Sequence, residues 1–132
     1  MFASKPILIA CTALLLLATP AAVSRAEENA APPAPYQSEL ERLAEILGAL
    51  HHLRGICGAN EGQTWRNEMQ ALIEAETPNG ERRNRLVASF NRGYRGFQQS
   101  YHTCTRAADL AIRRYLDEGA RIARDITARY AN

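Results

Sequence analysis

The chain has 132 residues, 16 basic against 14 acidic side chains, and a formal net charge of +2. That is one domain's worth of sequence, with enough apolar residues for a core. Its near-neutral balance excludes the strongly basic character of a general nucleic-acid binder.

Residues 1–26 read as a secretory signal peptide. Lys5 supplies the early positive charge, an apolar run follows from Ile7 to Ala18, and Ser24-Arg25-Ala26 fits cleavage after Ala26. The run falls short of the roughly 20 apolar residues of a membrane span, so no span is expected after cleavage; an uncleaved anchor would need the apolar stretch extended to Val23. Most of the apolar run follows Cys11, where a lipoprotein signal would have it precede the cysteine. The expected address is therefore outside the cytoplasm. Without Lys5 and Arg25 the basic residues are all arginine and match the fourteen acids. They are unevenly spread. Residues 27–81 carry ten acids against Arg42, Arg54 and Arg66, whereas residues 82–132 carry eleven arginines against Asp109, Asp117, Glu118 and Asp125. Either the two halves pair internally, or an arginine-lined face awaits an anionic partner.

Residues 27–35 form an Ala/Pro-rich linker, and residues 36–132 form the folded domain. Helical periodicity predicts a first helix over about 38–56, with Ser38 and Glu41 as a capping box, a stripe of Leu40, Leu43, Leu47 and Leu50, and Gly58 as its stop. A second helix is expected over about 61–76, capped by Asn60 and Gln63, with Trp65, Met69, Leu72 and Ile73 inward, followed by the turn Thr77-Pro78-Asn79-Gly80. The third, over about 81–102, carries Leu86, Phe90, Tyr94, Phe97 and Tyr101 on one face. Gly93 and Gly96 lie inside it, and Gly48 and Gly119 lie inside the first and fourth helices; each signals a close helix approach or a kink. Thr105 then caps a fourth helix over about 106–130, whose inner face is Ile112, Tyr115, Gly119, Ile122 and Ile126. With no alternating strand pattern, the fold class is all-α, an antiparallel four-helix bundle.

In such a bundle the first and third helices run parallel. Cys57 ends one and Cys104 ends the other, each in phase with its apolar stripe, so a single structural disulfide is expected between them. Closing that loop stabilises the fold by about 4 kcal/mol in the chain-entropy model, a large part of the roughly 5–15 kcal/mol typical of a domain.

The blocks LGALHHLRGICG (47–58), WRNEMQALIEAE (65–76) and FNRGYRGFQQSYHTCTRAADLAIRRYLDEGARIARDI (90–126) resemble a family of short exported, all-helical alphaproteobacterial proteins of unknown function. The resemblance implies a bacterial, periplasmic home and transfers no catalytic or binding residue.

No stretch carries a catalytic motif. Ser38, Ser89 and Ser100 lack a nucleophile-elbow setting, and no acid pair stands out from the solvated helix faces, so an enzyme is not favoured. No cofactor is implied. His51, His52 and His102 fall near the cysteine-bearing end, but without metal-ligand spacing; with the cysteines oxidised they offer at most a weak histidine site. Arg82, Arg83, Arg85, Arg92 and Arg95 crowd the third helix with no acid after Glu81. In the fourth, Arg113–Asp117, Arg114–Glu118 and Arg121–Asp125 are spaced to neutralise one another. The expected function is a non-enzymatic interaction or accessory protein of the cell envelope. Arg85, Arg92 and Arg95 would face an envelope protein or another anionic envelope component; the alternative is a small-ligand or metal-binding bundle.

Overall fold

The computed structural model describes residues 34–76 and 80–131. The signal peptide, nearly all of the linker and the Thr77-Pro78-Asn79 part of the predicted turn lie outside the described residues. Four helices make up the fold among those described: α1 (Gln37–Ile56), α2 (Thr64–Glu76), α3 (Gly80–Ser100) and α4 (Arg106–Tyr130). The bundle is organised around α1, which packs on each of the other three. α3 runs parallel to α1, because Arg82 meets Gln37 at their starts and Cys104 meets Cys57 at their ends. α4 is antiparallel to α1, with Arg129 paired to Glu39 and Arg42 to Glu118.

The central position of α1 explains its sequence. Ile46, Leu47, Gly48, Ala49 and Leu50 are buried in succession, so over this turn the helix is enclosed on every side rather than along one stripe. One side joins α2 and α3 in a core of Leu40, Ala44, Leu47, Met69, Ile73, Leu86 and Phe90. The other side joins α4 through Ile46, Leu50, Leu53, Ala108 and Ile112. The predicted stripe captured the first side and missed Ile46 and Leu53 on the second, while Leu43 is only half-buried.

Gly48 and Gly93 set the α1–α3 separation. A Cβ at Gly48 would land on the Phe90 carbonyl, 2.8 Å from its carbon, and one at Gly93 would land on the Glu45 carbonyl, 2.9 Å from its carbon. Backbone lies against backbone at this crossing, and neither helix has room for a side chain there. Gly96, one turn further on, meets nothing within 4 Å.

The helix ends differ in how far local signals decide them. Gly58 stops α1 as expected. It takes a positive φ of 75°, and Ala59 N–H donates to the Arg54 carbonyl at 3.1 Å while Gly58 N–H donates to Gly55 at 3.3 Å, which is the Schellman arrangement. Thr105 caps α4, its Oγ1 accepting from Ala108 N–H at 3.1 Å. The capping box is corrected: Ser38 lies inside α1 and is exposed, and the helix starts from Tyr36 without a side-chain cap. The Tyr36 ring packs on Tyr130 with centroids 4.8 Å apart, and Gln37 donates to Glu41 at 2.9 Å; tertiary packing sets this end. α2 begins at Thr64, three residues later than predicted. Glu61 is instead engaged by the Arg54 guanidinium and, at 3.0 Å, by Trp65 Nε1. α3 stops at Ser100, and the Tyr101 carbonyl accepts from His52 Nε2 at 2.7 Å as the chain turns toward the disulfide.

Cys57 and Cys104 are disulfide-bonded, with Cα atoms 4.6 Å apart and a separation of 47 positions in sequence. Replacing either by Ser should lower the unfolding free energy by about 2–5 kcal/mol, seen as an earlier urea midpoint and a steeper slope, because the unlinked denatured chain exposes more surface. A loss under about 0.5 kcal/mol would mean that the bond constrains neither state.

Candidate functional site

Two features gather polar chemistry: the ion-pair rows linking α1 to its neighbours, and a cleft between α3 and α4. The acids of α1 are shared out among arginines from the second half of the chain. Glu41 lies 3.9 Å from Arg85, Glu45 lies 3.1 Å from Arg92, and Glu39 pairs with Arg129. Arg42 runs the other way, gripping Glu118 of α4 through Nε at 2.7 Å and Nη2 at 3.0 Å. Because Arg42 also lies 3.4 Å from Glu45, charges alternate from Arg92 through Glu45 and Arg42 to Glu118, crossing three helices. The bidentate bond to Arg42, aided by the charges of Arg42, Arg121 and Arg114, holds the Glu118 carboxyl below the usual range.

This arrangement corrects the pairing expected within α4. Glu118 is taken by Arg42 of α1 and not by Arg114, and Arg113 pairs one turn back with Asp109 instead of forward with Asp117. Arg42 is the residue that sequence reasoning overlooked. Its signal was a single arginine set among Glu39, Glu41 and Glu45.

Among the candidate partner-binding arginines, Arg85 lies between Glu81 of its own helix at 3.6 Å and Glu41 of α1 at 3.9 Å, and Arg92 bonds Glu45, yet they keep 42% and 59% of their side-chain surface exposed. Arg95 is exposed and makes no ion pair or hydrogen bond among the described residues. The three therefore form one row on α3, two members held in place and one free.

The backbones of α3 and α4 do not approach each other. Side chains alone bridge them: Phe97 meets Tyr115 edge-on at 5.4 Å and lies 5.3 Å from Tyr101. Beside this cluster is a cleft of about 210 Å³ lined by Arg42, Phe97, Tyr101, Ala111, Arg114, Tyr115 and Glu118. The Arg42 guanidinium lies 5.5 Å from the centre of the Tyr115 ring, a cation–π contact that adds to its fixed orientation.

The family model for a protein of unknown function, DUF2385, matches residues 35–130. The chain belongs to that family. No curated protein and no solved structure matches it. Membership in DUF2385 covers all four helices and gives none of their residues a role, so function has to be argued from the geometry. No described helix is long and apolar enough to cross a membrane.

The histidines are separated by environment. His51 lies against Phe90 and Tyr94, with centroids at 6.0 and 5.5 Å, and its Nδ1 is buried without a hydrogen-bond partner among the described residues. His52 meets Tyr94 edge-on at 5.7 Å and donates through Nε2 to the Tyr101 carbonyl, while His102 is exposed. Among the described residues, no group of three or more His, Cys, Asp or Glu is placed to hold a metal ion.

Burial, then the nearby charges of Arg66 and His52, push the His51 imidazole below its ordinary value of 6.5. The unfolded chain therefore takes up this proton before the folded one. The contribution is intact above about pH 6.5 and is lost as pH falls below it. Melting temperature should drop between about pH 7.5 and 5.5, and His51→Gln should flatten that slope. The carboxyls of Glu61 and Glu118 are held below their ordinary value of 4.5, so they act in a lower window. An unchanged slope in His51→Gln would remove His51 as its source.

Proposed function

We propose that this protein works in the periplasm as a non-enzymatic interaction or accessory protein of the cell envelope. Its α3 face binds an envelope protein or another anionic envelope component. The observation that carries this reading is the row Arg85, Arg92 and Arg95. Glu81 and Glu41 flank Arg85 and Glu45 bonds Arg92 without covering either, and Arg95 stands exposed with no acid paired to it among the described residues. Guanidinium groups fixed in advance lose less side-chain freedom when they meet carboxylate or phosphate, and their forked geometry suits both. Near-neutral overall charge directs such a row toward a local anionic patch and away from nucleic acid at large. The N-terminal sequence supports export, and the disulfide suits an oxidising compartment.

The test is crosslinking in intact cells of the tagged full chain, followed by affinity recovery and mass spectrometry, with protease accessibility of the outer compartment checking export. An envelope component should be recovered reproducibly and lost when Arg92 and Arg95 are both replaced by Gln, with the thermal melt unchanged to within a few degrees. Recovery that survives the double replacement would end the assignment of this face. A protein retained in the cytoplasm would end the envelope reading.

A further inference from the structure

The α3–α4 cleft is separate from the arginine row just described, and its chemistry points to a different kind of ligand. Its volume of about 210 Å³ lies below the roughly 300–1,000 Å³ of sites that enclose drug-sized molecules. It accommodates one ring rather than a length of polymer. Phe97, Tyr101 and Tyr115 supply the flat apolar wall, and Ala111 keeps the space beside it open because its side chain ends at Cβ.

The polar groups limit which ring. Arg42 is already committed to Glu118 through two hydrogen bonds, so those two residues form a fixed, mutually neutralised pair with remaining donors and acceptors at the cleft. Arg114 is exposed and has no ion pair or hydrogen bond among the described residues. With Arg42 and Arg114 against Glu118, the lining carries a net positive charge of one. The Tyr101 and Tyr115 hydroxyls make no hydrogen bond among the described residues, and neither is sealed from solvent. A hydrocarbon ring would strand these groups. A hydroxylated ring satisfies them, placing its apolar face on the aromatic wall and its hydroxyls on the tyrosines and Glu118. A single carboxylate on that ring meets the guanidinium fork of Arg114.

We propose that the α3–α4 cleft, walled by Phe97, Tyr101 and Tyr115 and charged by Arg114, binds one acidic monosaccharide unit, a pyranose bearing a single carboxylate. The unit is either a free sugar acid or the exposed end of a glycan. No residue of the α3 arginine row lines this cleft, so a failed partner capture leaves this site standing, and the reverse.

The probe pair is N-acetylmuramic acid and N-acetylglucosamine, which differ by the carboxylate-bearing ether. Each is titrated into oxidised protein purified from cells expressing the full chain, with amide shifts and calorimetry as readouts. N-acetylmuramic acid should bind with a Kd on the order of a millimolar or tighter, shifting the amides of Tyr101, Ala111 and Tyr115. N-acetylglucosamine should bind at least about tenfold more weakly, and Arg114→Gln should weaken the acid by a similar factor of about ten. Arg124→Gln, on an exposed part of α4 outside the cleft, should leave binding unchanged. Retention on peptidoglycan stripped of its stem peptides by an amidase, which frees the muramic acid carboxylates, and release by free N-acetylmuramic acid identify a glycan end as the source; binding of the free acid without retention identifies the free acid. Equal binding of the two sugars, shifts confined to other residues, or an acid affinity untouched by Arg114→Gln would overturn the proposal. So would the absence of any binding at tens of millimolar.

Discussion

Where α1 crosses α3, Gly48 and Gly93 put the two backbones in direct contact, each occupying the space that a side chain would need on the other. Glycine is among the poorest residues for a helix interior, costing about 1 kcal/mol relative to Ala. Two of them facing each other are offset only by what close approach permits. Here it permits the burial of Leu86 and Phe90 against α1, where fully burying such side chains contributes about 1.5–3 kcal/mol each. It also brings the ends of α1 and α3 near enough for the disulfide and for the bond from His52 to the Tyr101 carbonyl.

The same crossing shapes the surface. Since α3 is drawn onto α1, and α4 packs on another side of α1, the backbones of α3 and α4 remain apart and only aromatic side chains span the gap. The cleft is a product of that spacing. Electrostatics then follows the packing: α1 carries acids along flanks that face the arginines of α3 and α4, so much of the opposite charge on the two halves of the chain meets across helix boundaries. Exposed pairs of this kind contribute little individually, about 0–1 kcal/mol. Their larger consequence is orientation, since Arg85, Arg92 and Arg42 are each held in one place by a carboxylate.

Periodicity made the number, order and approximate bounds of the helices legible, because amphipathic helices joined by short turns leave little choice of class. The meeting of Cys57 and Cys104 was legible for a related reason: both lay in phase with their stripes at ends that a bundle must bring together. Thr105 and Gly58 were readable because a cap is decided by local hydrogen bonding. Ser38 was misread because the Tyr36–Tyr130 contact, between residues 94 positions apart in sequence, sets the helix start. The second buried side of α1 was hidden for a similar reason. A helix surrounded by three neighbours has no single stripe, and Ile46 and Leu53 fell between the residues of the chosen one. In the candidate site, spacing pointed Arg114 to Glu118, but Arg42 approaches that carboxylate in a two-point geometry that only the α1–α4 register reveals. The glycines were recognisable as marks of close approach, although sequence alone could not separate Gly93, pressed against Glu45, from Gly96, which faces open space.

That last distinction is the most direct measure of the central claim. Thermal and urea unfolding of Gly48→Ala, Gly93→Ala and Gly96→Ala should divide sharply. The first two force backbones apart and should lose on the order of 3 kcal/mol or more, at the upper end of overpacking costs. Gly96→Ala meets no neighbour and should gain up to about 1 kcal/mol from helix propensity alone. If all three behaved alike, or if Ala at 48 and 93 were tolerated without loss, the α1–α3 backbone contact would not be what holds this bundle in its present form.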